Sequence, residues 1–135
     1  MTPILLDTGY IIALEAADDQ NHEVASNYWR SLPKPLPPLI TTSYIFDEIV
    51  TFFNSRNRHG KATEVGERLL SSPSIQLVHV DQALFFNAWK LFRQRKDKSY
   101  SLTDCISFLV MKKSGCEEAL SFDKHFRQEG FRILP

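Results

Sequence analysis

The sequence predicts an α/β fold: three layers, α/β/α, around a central, mostly parallel sheet of four to five strands. Three observations predict it. Ile4-Leu5-Leu6 is a short, continuous apolar run, the pattern of a strand buried on both faces rather than one. Short apolar runs then alternate with helical spacing to the end of the chain, as parallel strands joined by crossover helices do. Finally, in Asp104-Cys105-Ile106-Ser107-Phe108-Leu109-Val110-Met111 apolar residues occupy almost every direction of a helical wheel, and a helix that is apolar all round is buried.

The elements follow in order. Residues 3–7 form the first strand, and Thr8 can cap a helix whose apolar side holds Ile11, Ile12 and Leu14. Asp18-Asp19-Gln20-Asn21 is a polar break rich in N-cap residues, so a second helix runs from His22 to about Leu32. Pro33 to Pro38 holds four prolines in six residues and is a loop. Leu39-Ile40-Thr41 is a short strand. Thr42-Ser43 opens a helix with Ile45, Phe46, Ile49, Val50, Phe52 and Phe53 on its buried face. That helix reaches about Arg58 and ends at Gly60.

Lys61 to Leu70 is the next helix, broken by Ser71-Ser72-Pro73. Residues 75–80 are a third strand whose first part alternates. Asp81 caps a long helix carrying Leu84, Phe85, Ala88, Trp89, Leu91 and Phe92. Arg93 to Lys98 closes it. Ser101 starts the buried helix, which ends near Ser114 with Gly115 at its C′ position. Residues 119–122 are a fourth strand, Asp123 to Arg127 a single helical turn, and residues 131–134 a last strand.

A chain of 135 residues, 43% hydrophobic and 12% aromatic, suits a single domain over residues 1–135 with one core. No apolar run approaches the ~18 residues of a membrane span. No basic stretch precedes an apolar run at the N-terminus, so there is no secretory signal. The expectation is a cytoplasmic protein that makes no use of a membrane. Cys105 and Cys116 fit no metal spacing, and Cys105 reads as a buried free thiol. With 16 basic and 16 acidic residues, net charge gives no argument for nucleic acid. Locally, Arg56, Arg58, His59 and Lys61 cluster, as do Arg93, Arg95, Lys96 and Lys98. These runs read either as solvated helix ends or as phosphate-holding groups beside an acidic centre.

Four carboxylates sit oddly for surface charge. Asp7 follows a buried strand, where it caps the next helix or faces a site. Glu48 falls at the edge of an apolar stripe centred on Ile45, Ile49 and Phe53, while its neighbour Asp47 falls well round the other side. Asp104 lies in the buried helix. Ser101-Leu102-Thr103-Asp104 also has the form of a capping box, but a buried carboxylate needs more than one backbone donor. Asp123 ends a strand or caps the turn after it.

In a doubly wound sheet all four fall on one edge, the edge where such folds bind ligands. Two carboxylates about 4 Å apart repel by roughly 4 kcal/mol at an effective dielectric of 20. Four together need a cation. Cys105 and His125 stand near these acids in sequence, but neither has a spacing that makes it a ligand. An oxygen-only set suits Mg²⁺, with Mn²⁺ as a substitute, rather than zinc. Such an ion activates water and neutralises a phosphate, so the implied reaction is phosphodiester hydrolysis.

Four segments in order, Leu5-Leu6-Asp7-Thr8, Thr41 through Glu48, Leu102-Thr103-Asp104-Cys105 and Ser121 through Phe126, resemble the PIN domain nucleases. The closest resemblance is to the VapC-like toxins of bacterial toxin–antitoxin pairs. It covers the chain from end to end. It implies a Mg²⁺-dependent endoribonuclease with a PIN-like central parallel sheet, and it carries catalytic and metal-site roles onto Asp7, Glu48, Asp104 and Asp123. Thr8 and Ser121 match positions where hydroxyls support the site. The resemblance also implies a homodimer, an RNA substrate and a small antitoxin whose tail covers the active site. Some relatives carry an extra acid near the last position, where Ser121 and Phe122 stand here, so one tightly held ion is the expectation.

Leu5-Leu6-Asp7-Thr8-Gly9 also has the look of an aspartic protease signature, which would make a dimeric enzyme with a shared proton. That fold is nearly all β and glycine-rich, whereas this chain is rich in helical patterns and has five glycines. A haloacid-type phosphatase needs an aspartate where Gly9 stands. The remaining alternative is a non-catalytic PIN-like module that binds RNA or protein.

Overall fold

The computed structural model describes residues 2–135. In chain order the elements are β1 (Ile4–Leu6), α1 (Thr8–Glu15), α2 (His22–Ser31), β2 (Leu39–Thr42), α3 (Ser43–Ser55) and α4 (His59–Ser71). There follow β3 (Ile75–Val78), α5 (Gln82–Gln94), α6 (Leu102–Ser114), β4 (Glu118–Leu120), α7 (His125–Gln128) and β5 (Arg132–Leu134). The strands form one sheet in the order β3-β2-β1-β4-β5, and every pairing is parallel.

This order fixes where a ligand can bind. The chain builds outward from β1 through β2 to β3, then returns past β1 to add β4 and β5 on the other side. The connections leaving β1 and β4 at their carboxyl ends therefore part in opposite directions, which opens a crevice there. Right-handed crossovers place α1 to α4 on one face and α5 to α7 on the other. The packing agrees: α1 lies against α2 and α3, α3 against α4, and α6 against α5 and α7. The result is the three-layer sandwich expected.

Burial explains the two strand patterns. β1 and β2 lie inside the sheet and every residue in them is buried, hence their unbroken apolar or threonine runs. β3 and β5 are edges and are only partly covered. On α6, Cys105, Ile106, Phe108 and Met111 are fully buried, as a helix apolar all round must be. Gly115, at φ +67°, ends α6 in the left-handed conformation that glycine adopts without strain. Across the other layer, Glu15 of α1 takes Lys61 at 3.1 Å and also Arg68, which ties α1 to α4.

Two helix boundaries differ from the sequence reading. Gly60 does not end α3; it lies in the first turn of α4. The break falls earlier, at Asn57, whose φ of +62° is tolerated because a short amide side chain pays little for that conformation. Thr8 does not cap α1 but is its first residue, and Asp7 holds the cap position. The parallel sheet and the seven helices among the described residues also dispose of the aspartic protease alternative, which requires a nearly all-β chain. No helix among the described residues is long and apolar enough to cross a membrane.

Candidate active site

A cavity of about 610 Å³ opens at the carboxyl edge of the sheet, and Asp7, Glu48, Asp104 and Asp123 all line it. Each comes from a different part of the fold. Asp7 follows β1, Glu48 stands on α3, Asp104 on the first turn of α6, and Asp123 between β4 and α7.

Asp7 occupies a helix cap position yet makes no side-chain capping bond, so local helix chemistry does not explain it. It is 7% exposed. Its Oδ2 accepts the Ser121 hydroxyl at 2.8 Å. Burial pushes its carboxyl up to about 7, against the opposing pull of the Ser121 hydroxyl and the Thr8 amide. The negative charges of Asp104 and Asp123 push in the same direction as burial. The fold thus holds Asp7 where a bare carboxylate is costly, and a cation would relieve that cost.

Asp104 is also buried, and the capping box with Ser101 is present: Asp104 N–H donates to Ser101 Oγ, and Ser101 N–H donates to Asp104 Oδ2, each at 3.0 Å. The same Oδ2 receives His125 Nδ1 at 2.8 Å. Capping is therefore true of Asp104 but does not exhaust it. Asp123 Oδ1 accepts the His125 amide at 2.9 Å, and the Asp123 amide donates to Ser121 Oγ at 2.9 Å. Glu48 belongs to an exposed stretch of α3 rather than leaning over the core, but its Oε1 accepts the Thr8 hydroxyl at 2.6 Å and is thereby drawn to the cavity. Asp47 points away and bonds Thr51.

One pattern runs through all four acids. Asp7 Oδ2, Glu48 Oε1, Asp104 Oδ2 and Asp123 Oδ1 each accept a donor from the protein. Among the described residues the second oxygen of Glu48, Asp104 and Asp123 has no such bond, while the Asp7 carboxyl also takes the Thr8 amide. Donors on one oxygen fix a carboxylate's direction and leave the other oxygen for a ligand. A set of carboxylate oxygens at one mouth fits a hard divalent cation.

Thr8 and Ser121 thus hold acids in place through their hydroxyls. The sequence reading gave His125 no part as a ligand; the structure brings it to the site, with ligand-type atoms of Asp104, Asp123 and His125 within 4.8 Å of one another. The missed signal was the Asp-Lys-His spacing after β4. An aspartate whose side chain accepts the amide two residues on folds that residue back toward the site. Cys105, by contrast, is fully buried and burial holds its thiol up at about 11, so it is an inert core residue. Of the basic runs, Arg95 is committed to Glu129 and Lys61 to Glu15. Lys124, exposed, is the one lysine lining the cavity.

Comparison with known proteins extends the picture. The chain is 33% identical over 128 residues to the 23S rRNA-specific endonuclease VapC20 of Mycobacterium tuberculosis, covering 95% of each chain. It is 24% identical over 133 residues to a VapC ribonuclease of Aquifex aeolicus. The crystal structure of VapC20, described as a sarcin–ricin loop cleaving toxin, superposes with a TM-score of 0.86 at 31% identity over 95% of each chain. VapBC2 of Rickettsia felis shares the fold at a TM-score of 0.72 and 10% identity over 98% of each chain. The PIN domain model matches residues 4–131, and the chain belongs to the PIN domain family.

Proposed function

We propose that this protein is a Mg²⁺-dependent endoribonuclease, the toxin of a toxin–antitoxin pair, hydrolysing RNA phosphodiester bonds in the cytoplasm. One observation carries the chemistry: four acids from four separate parts of the fold line one cavity, each with an oxygen fixed by a protein donor. Asp7, Glu48, Asp104 and Asp123 would hold the ion, and Mn²⁺ would substitute. When bound, it supplies charge neutralisation and Lewis acidity toward a phosphate. The protein's part is orientation. Ser121 and Thr8 aim Asp7 and Glu48, the α6 capping box aims Asp104, and Lys124 meets the phosphate at the mouth.

Likeness to VapC20 over nearly the whole chain makes ribosomal RNA of the large subunit the first substrate to test. A small antitoxin protein is the expected partner, with the toxin as a homodimer and the chain as a single domain. The test is purified protein incubated with a mixed RNA pool, with and without chelator, and read by end mapping. Discrete new ends that vanish with chelator and with Asp7→Asn support the reading. Cleavage that is indifferent to both overturns it.

A further inference from the structure

His125 is used by none of the steps above, yet its ring and its amide both bond the acids of the cavity. Its amide donates to Asp123 Oδ1 at 2.9 Å, and its Nδ1 lies 2.8 Å from Asp104 Oδ2 and 3.2 Å from Asp123 Oδ1. Facing a carboxylate that can only accept, Nδ1 must carry the proton. The ring itself is clamped. Tyr100 meets it edge-on at 5.3 Å between centroids and is 5% exposed. The Tyr100 hydroxyl donates to Glu129 Oε1 at 3.0 Å, and Glu129 takes both Nε and Nη2 of Arg95 at 3.1 and 2.9 Å. A buried, charge-paired anchor thus fixes an aromatic wall, and the wall fixes the imidazole.

We infer that His125 is a positioning residue: its Nδ1–H, braced by Tyr100, holds the Asp104 and Asp123 carboxylates in the relative arrangement that a divalent cation needs. The inference rests on the metal-site reading above. Asp104 and Asp123 come from different parts of the chain, and among the described residues His125 is the one side chain that reaches a carboxylate oxygen of both. Without its proton between them, Asp104 Oδ2 keeps only the Ser101 amide and Asp123 Oδ1 only the His125 amide, and nothing offsets the repulsion between the two carboxylates. Donors to ligating carboxylates are worth about 10–100-fold in metal affinity.

The test uses Mn²⁺ titration calorimetry on three proteins, with thermal melting as a check on folding. His125→Phe keeps the ring against Tyr100 but removes the donor. His125→Asn places an amide N–H near the position of Nδ1. The inference expects His125→Phe to bind Mn²⁺ about 10–100-fold more weakly and His125→Asn to stay within about threefold of the parent. Equal binding by parent and His125→Phe overturns the inference while leaving the metal site intact. A parent that takes up no Mn²⁺ overturns both.

A second measurement needs no variant. Nitrogen–proton correlation spectra of the Mg²⁺-loaded parent should show the His125 proton on Nδ1. A bare Nδ1, whether from the other tautomer or from direct ligation of the ion, overturns the positioning role.

Discussion

The Ser121 hydroxyl donates to Asp7 Oδ2 at 2.8 Å while its oxygen accepts the Asp123 amide at 2.9 Å, so one side chain links two acids 116 positions apart in the sequence. β1 and β4 are neighbours in register, Leu6 beside Leu120, and this places the residue after each strand at the same edge. Ser121 is 1% exposed, so its hydroxyl has no water to exchange with and its direction is set by these two bonds.

Ser121→Ala should therefore weaken Mn²⁺ binding and RNA cleavage together, by about tenfold each, because it frees Asp7 to rotate and leaves the Asp123 amide unpaired. Melting should fall by roughly 1–2 kcal/mol, the usual cost of one buried unpaired donor. Cleavage unchanged within experimental error would show that Asp7 needs no such support.

Asp7 makes the metal-free protein sensitive to pH. Its carboxyl sits at about 7 when folded against 3.8 in the ordinary state, chiefly because of burial. Folding thus takes up a proton between those values. The stability this provides is whole below pH 3.8 and is lost as pH rises through about 7. In chelator, thermal stability should decline from pH 5 to pH 8, by at most about 3 kcal/mol from this group. Asp7→Asn, neutral at every pH, should flatten that decline while abolishing cleavage. Added Mg²⁺ should restore the parent at pH 8 and do nothing for the variant. Parallel profiles for parent and variant would mean that another group carries the dependence.

Asp104 serves its helix and the cavity at once, and two substitutions separate the duties. Asparagine keeps an oxygen for the Ser101 amide, so Asp104→Asn should hold its melting temperature. Asp104→Ala loses the reciprocal half of the capping box and should cost about 1 kcal/mol. Both should lower cleavage to a similar degree, at least about 100-fold, since both lack the anion that would hold the ion. Activity that tracks stability across the pair would reduce Asp104 to a capping residue.

What was legible in the sequence follows from the kind of signal involved. The order and type of the elements could be read because β1, β2 and most of α6 are buried, which leaves runs of apolar residues with few polar ones between them. Asp7, Asp104 and Asp123 stood out because each lies at or just beyond the end of a buried element, and Glu48 by its place on the wheel of α3. The α3–α4 break misled because Gly60 is the conspicuous residue there, whereas the turn is made by Asn57, which carries no comparable mark. His125 was passed over for a different reason. The Asp123-Lys124-His125 spacing marks the local turn, but the contact with Asp104 spans 21 positions and depends on how α7 turns back toward α6. The same holds for Tyr100, before α6, and Glu129, just after α7, which meet 29 positions apart.

Glu48 is the exposed member of the set, and its place depends on Thr8, whose hydroxyl reaches it at 2.6 Å from the first turn of α1. An exposed glutamate on a helix samples several rotamers, and one charge-assisted bond is enough to favour the one that faces the cavity. Thr8→Val preserves shape and β-branching but deletes that bond. It should leave the melting temperature within about 0.5 kcal/mol of the parent, as surface changes do. Cleavage at saturating RNA should nonetheless fall by about tenfold, the loss expected when a supporting donor to a metal ligand is removed. Thr8→Ser, which keeps the hydroxyl, should recover most of it. Glu48→Gln should fall further than Thr8→Val, and combining the two should add little, because the threonine acts only through the glutamate. A double variant whose losses simply add would place Thr8 in contact with something other than Glu48.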